Sequence, residues 1–288
     1  MNSELVRRIG FAIVAIPLAL LIIWYGGLPL AVLLALVGAL GSGELFRLAE
    51  LGGVRPARLL GMATAAAVPL LAHLVLTRPA VAAAVADLGL HVAALWLLLL
   101  LTWALAARPP AARPLEAVSV TLLGVVYTGG LPAFLLLIRH GQLPQRSWAG
   151  AWLVFFPLVV TWVCDTAAMF GGRAIGGPKL APTVSPGKTR SGATAGVIGA
   201  LAVAPVFSAW IFPQVGIDLR LWQTVAVAAA LSVVGQVGDL AESLFKRQAG
   251  VKDSSHLIPG HGGVLDRLDS LYFVVPAAAA MYRFFGVI

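Results

Sequence analysis

Apolar runs long enough to cross a bilayer recur along almost the whole chain, and no other feature constrains the fold as tightly. A hydrocarbon core of about 30 Å needs roughly 20 consecutive apolar residues per helix. Nine runs are predicted as spans, at 9–25, 28–47, 59–77, 80–106, 116–138, 149–170, 192–213, 222–241 and 270–287. They are blocks of Leu, Ala and Val without sustained alternation, which disfavours a membrane barrel. Composition agrees, because 60% of the 288 residues are hydrophobic, 11% are charged and the mean hydropathy is +0.94. A soluble domain would carry about 25% charged residues. The expected class is an all-α, polytopic integral membrane protein, with about four helices over 1–115 and the polar chemistry over 116–288, in loops at 171–191 and 246–268.

The first run follows Arg7 and Arg8 as a signal peptide would, but it continues to Trp24 and Tyr25. A signal core is usually about 7–15 residues long, so a retained helix is expected. Alternating the loops across nine spans puts 15 of the 20 Lys and Arg residues on the side of the N-terminus and 5 on the other. The positive-inside rule then places the N-terminus and both polar loops in the cytoplasm and the C-terminus outside. Without residues 173–190 and 246–267 the bias narrows to 7 against 5, in the same direction. The net charge of +8 on so apolar a chain argues for topology and anionic lipid, not for nucleic acid. One cysteine, Cys164, excludes an intramolecular disulfide and a cysteine zinc site, and its apolar setting predicts a packed thiol.

The two polar regions hold six of the twelve acids, Asp165, Asp239, Glu242, Asp253, Asp266 and Asp269, and eight of the twenty cations. Cations alone would suit a lipid headgroup, whereas cations interleaved with carboxylates suit phosphates bound through a metal. Glycines and prolines between Gly171 and Gly192 let backbone amides approach phosphate oxygens. Ser185-Pro186-Gly187-Lys188-Thr189 invites comparison with a P-loop, yet Pro182 stands where the first glycine is required and a membrane helix lies upstream. Lys188 with neighbouring amides is instead expected to clamp phosphate, the alternative being a simple topology charge.

Asp239, Glu242, Ser243 and Lys246 are spaced i, i+3, i+4 and i+7, one stripe at the end of the eighth span. Asp266 and Asp269, at i and i+3, are expected to share a face at the start of the ninth. Hard divalent cations favour such carboxylates, and Mg2+ takes one or two of them with phosphates and water. The competing expectation is a lattice of helix-end salt bridges. His261, between glycines, would hold a phosphate, shuttle a proton or brace a turn. Glu44 is open between an intramembrane functional acid and an interfacial one near Arg47. His73, His91 and His140 receive no role.

The run Ser243-x-x-Lys246-Arg247, Lys252-Asp253-x-Ser255, Ile258-Pro259-x-His261-Gly262-Gly263 and Asp266-Arg267-x-Asp269 resembles the signature of the phosphatidate cytidylyltransferases, or CDP-diacylglycerol synthases. The earlier loop, Asp165 through Gly172-Arg173, Lys179 and Ser185-Pro186-x-Lys188-Thr189, is similar to that family's second motif. It departs mildly at Met169-Phe170 and Arg190-Ser191. The resemblance is strong over 150–288, and over 1–150 it is mainly one of hydropathy.

The resemblance implies that CTP and phosphatidate give CDP-diacylglycerol and pyrophosphate at the cytoplasmic face of a bacterial-type inner membrane, in a catalytic C-terminal half and as a homodimer. It also implies Mg2+, with a second cation such as K+, held by Asp239 and Asp266. Lys246, Arg267 and Asp269 would join these two as catalytic residues. Arg173, Lys179, Ser185, Lys188, Thr189, Ser243, Arg247, Lys252, Asp253 and His261 would bind the substrates, with Asp165 orienting a cation or completing the metal shell. An in-line transfer needs positioning and charge neutralisation, with no protein nucleophile. Three rivals weigh less. A transporter should place charge near the midplane, and a scaffold has no use for paired acids. A related CTP-dependent lipid enzyme, such as an archaeal-lipid cytidylyltransferase or a polyprenol kinase, is told apart by its acceptor, since a kinase releases CDP and a cytidylyltransferase pyrophosphate.

Overall fold

The computed structural model describes residues 3–141, 143, 147–258, 260 and 262–288. The chain is almost wholly helical. In chain order the helices are α1 (Ser3–Tyr25), α2 (Gly27–Leu51), α3 (Arg58–Thr77), α4 (Pro79–Ala107), α5 (Pro114–Gly124) and α6 (Leu131–His140). There follow α7 (Trp148–Ile175), a hairpin of β1 (Lys179–Ala181) and β2 (Ser185–Thr189), α8 (Arg190–Val206), α9 (Leu221–Gln248), α10 (Val264–Leu268) and α11 (Leu271–Phe284).

Among the described residues, seven helical segments are long and apolar enough to span: α2, α3, α4, Pro110–His140, α7, Arg190–Ile211 and α9. The expected count was nine. α1 does cover the first predicted run, with Ala15–Tyr25 as a shorter apolar stretch, whereas α11 has 14 residues, short of the roughly 20 a span needs. Two boundaries also move. α9 runs on to Gln248, so Lys246 and Arg247 are helical and not in a loop, and Asp266 lies on the separate five-residue α10, with Asp269 in the turn before α11.

The chain forms two compact units that interleave in sequence. The first comprises 1–22, 27–136 and 248–267; the second comprises 23–26, 137–247 and 268–288. In the first, small residues let helices approach closely, the usual basis of helix packing where apolar burial drives little. The buried Phe46 ring of α2 fills the space left by Gly61 and Gly124, where an added Cβ would stand 2.5 and 2.3 Å from it. The α5–α6 segment widens into a π-helical turn at Val125–Gly130, and Thr128 Oγ1 there donates to the carbonyl of Gly124 at 2.8 Å.

In the second unit α7 and α8 pack through glycine. A Cβ on Gly171 would meet the Ala195 Cβ at 2.3 Å, and one on Gly192 the Ala168 carbonyl at 2.7 Å. Phe156, Phe207 and Phe212 meet in tilted and edge-to-face contacts with centroids 4.8 to 5.5 Å apart, and the Tyr282 hydroxyl donates to Leu153 O at 3.0 Å. Arg139, fully buried, donates from Nε to Ile23 O at 2.9 Å and from a terminal nitrogen to Trp24 O. It thus satisfies carbonyls that the end of α1 leaves without a helical partner. Cys164 is buried as expected.

Candidate active site

α7 ends at Ile175 and is followed by Gly176, whose φ of +68°, with +98° at Gly177, is backbone that favours glycine. This bend delivers the chain into the hairpin, in which Lys179 pairs with Thr189 and Ala181 with Ser185. The all-α expectation missed these strands because they are short and carry Pro186, a residue strands tolerate at edges. Thr189 then caps α8, its Oγ1 accepting from Gly192 N at 3.1 Å.

Between α7, the hairpin, α8 and α9 lies a cavity of about 570 Å3. It gathers Asp165, Arg173, Lys179, Lys188, Thr189 and Asp239, six of the residues singled out from sequence. The cavity backs onto the N-terminal end of α8, where the helix dipole favours an anion, although the amides of Arg190 and Gly192 already donate to Pro178 O and Thr189 Oγ1. Lys188 Nζ is paired with Asp239 Oδ2, and the two side chains are 28% and 27% exposed. Ser243 Oγ lies 3.4 Å from the other oxygen of Asp239. Gln236, to which the sequence gives no role, also lines the cavity; the available signal is that it alone of the three glutamines of α9 lies away from the helix ends.

The remaining residues of the stripe lie further along α9. Glu242 and Lys246 are buried and paired at 2.6 Å, so the salt-bridge expectation holds for them. Arg247 Nε donates to Val184 O at 3.1 Å and ties the hairpin turn to α9. Ser185 pairs within the hairpin and does not line the cavity. The Asp269 carbonyl lies against Gly238, next to Asp239. Burial, and then the charge of Asp239, pushes the Asp269 carboxyl up to about 6.

Lys252, Asp253, Asp266 and Arg267 belong to the first unit. Lys252, Asp253 and Arg267 are exposed, whereas Asp266 is buried, its Oδ2 accepting from Ser254 N at 2.9 Å and Gly263 N at 2.8 Å. His261 lies outside the described residues. Among the described residues no three His, Cys, Asp or Glu side chains form a metal cage. The donor set of the cavity still suits Mg2+, which needs only one or two carboxylates when phosphates complete its shell.

A model described as the cytidylyltransferase family matches residues 6–285. The chain belongs to this family. It is similar to the phosphatidate cytidylyltransferase of Brucella suis biovar 1 (strain 1330), with 38% identity covering 99% of this chain and 94% of that protein. A protein of the same description from Haemophilus influenzae (strain ATCC 51907 / DSM 11121 / KW20 / Rd) is 41% identical over 152 residues, 53% of each chain. Another from Staphylococcus saprophyticus is 43% identical over 127 residues, 44% of this chain and 47% of that one. Membership makes the chain an enzyme of nucleotidyl transfer, and its helices make it a membrane enzyme. The likeness also reaches further than the motifs indicated, since the family match and the Brucella alignment both run through residues 6–150.

Proposed function

We propose that the chain transfers CMP from CTP to phosphatidate, giving CDP-diacylglycerol and pyrophosphate. The observation that carries this reading is the cavity at the start of α8, where Arg173, Lys179 and Lys188 meet Asp165 and Asp239. Three cations and a helix N-terminus suit a triphosphate, and two acids among them suit a bound divalent ion better than a bare lipid phosphate would.

In the reaction a phosphatidate oxygen attacks the α-phosphorus of CTP. The bond between that phosphorus and the oxygen leading to the β-phosphorus breaks, and pyrophosphate leaves with the electron pair. Arg173, Lys179 and Lys188 neutralise the triphosphate and the charge that builds on the departing group. A triphosphate entering the cavity draws Lys188 away from Asp239 and frees that carboxylate. Asp239, with Asp165 and Asp269 nearby, would then hold Mg2+, which supplies further charge neutralisation when bound. Asp266 as a second metal carboxylate rests on the family resemblance, since its Oδ2 is committed to the loop around it.

The test is a product assay. Purified protein with Mg2+, labelled CTP and phosphatidate in mixed micelles is expected to form CDP-diacylglycerol and pyrophosphate in equal amounts. Release of CDP with a phosphorylated lipid would replace this reading with a kinase.

A further inference from the structure

Glu44 lies seven residues before the end of α2, after Gly41-Ser42-Gly43, and is only 6% exposed. Its Oε1 accepts from Ser255 Oγ at 2.6 Å and Val264 N at 3.0 Å. Its Oε2 accepts from Leu265 N at 2.8 Å and faces Ser254 Oγ at 2.9 Å. One carboxylate on a membrane helix therefore gathers both serines of the 254–255 pair and the first amides of α10, from more than 200 residues away.

The same serine joins Glu44 to Asp266. Ser254 Oγ is 2.9 Å from Asp266 Oδ2 as well, and its single proton serves one acid at a time. Gly263 closes the arrangement, because an added Cβ there would stand 2.1 Å from Ser254 Oγ and 2.4 Å from Glu44 Oε2. No side chain fits at residue 263 unless this cluster opens. A buried carboxylate is costly unless its oxygens are satisfied, and this one is satisfied by neutral donors drawn from one segment.

We propose that Glu44 is a positioning residue for nucleotidyl transfer, a clamp whose carboxylate fixes Ser254, Ser255, Val264 and Leu265 and so holds Lys252, Asp253, Asp266 and Arg267 in one arrangement. This rests on the transfer reading given above. Glutamine at position 44 keeps the shape, but its amide nitrogen cannot accept, so one of the two donor pairs is lost.

The experiment uses the full chain in detergent, with amide hydrogen exchange and steady-state kinetics on Glu44→Gln and Gly263→Ala. In both variants the amides of Val264 and Leu265 are expected to exchange at least about tenfold faster. The turnover number should fall by about tenfold or more, while the KM for CTP stays within about twofold. The double variant should be no worse than the more damaged single, because both open the same cluster. Ser255→Ala, which removes one donor, carries the test if Glu44→Gln does not fold. Unchanged exchange at Val264 and Leu265 would overturn the clamp. Faster exchange with normal turnover, or a loss confined to KM, would overturn the positioning role. If the wild-type protein makes no CDP-diacylglycerol, the transfer reading fails, and exchange alone still decides the clamp.

Discussion

Asp239 and Glu44 are both acids set in apolar helices, and their surroundings differ in kind. Asp239 is held by one lysine and one long contact from Ser243, with about a quarter of its side chain open to the cavity. Glu44 is closed over by two hydroxyls and two amides, and Asp266 beside it is bound by the amides of Ser254 and Gly263. The first arrangement can exchange partners when an anion arrives. The second cannot do so without dismantling a loop. Asp239 is thus placed to take part in binding, whereas Glu44 and Asp266 are placed to hold backbone.

Three substitutions probe that difference, beginning with the most damaging. Asp239→Asn removes the exchangeable charge while keeping the shape. CMP transfer from labelled CTP is expected to fall on the order of 10²- to 10³-fold, with the melting profile little changed. Near-normal turnover would mean that the cavity acid is as structural as Glu44. Lys188→Ala should act mainly on binding, raising the KM for CTP by about tenfold and weakening the salt dependence of binding. An unchanged KM would show that Lys188 serves Asp239 and not phosphate.

The smallest effect concerns Asp269, which the folded protein protonates more readily than an unfolded chain, its carboxyl being raised to about 6. Unfolded aspartate titrates near about 4, so stability from this group is present below that pH and is lost as pH rises through about 6. Asp269→Asn should therefore raise the melting temperature at pH 7.5, in EDTA and without nucleotide, by a few degrees, and flatten the fall between about pH 4 and 6. A lower melting temperature at pH 7.5 would place Asp269 with the holding acids.

The class of the fold was legible because bilayer thickness imposes a length that apolar runs display directly. Helix ends were less so, since α9 continues for two turns past its last apolar stretch on Ser243, Lys246 and Arg247, which suit a helix as well as a loop. The hairpin was hidden for a related reason. Its strands are set by Arg247 holding the Val184 carbonyl and by Thr189 capping α8, contacts that no local pattern reports. Of the site, charge spacing indicated Asp165, Lys188 and Asp239. It could not separate acids that meet cations from acids that meet amides, because amides have no letter of their own in a sequence. Glu44 was left undecided for that reason, its donors lying more than 200 residues further on.

Arg139 bears on how the chain is made. It belongs to α6, and the carbonyls it satisfies, those of Ile23 and Trp24, were synthesised 116 and 115 residues earlier. During translation neither contact can therefore form until α2 to α5 have been produced and residue 139 has followed them. A chain halted before residue 139 would lack both of these contacts at the end of its first helix.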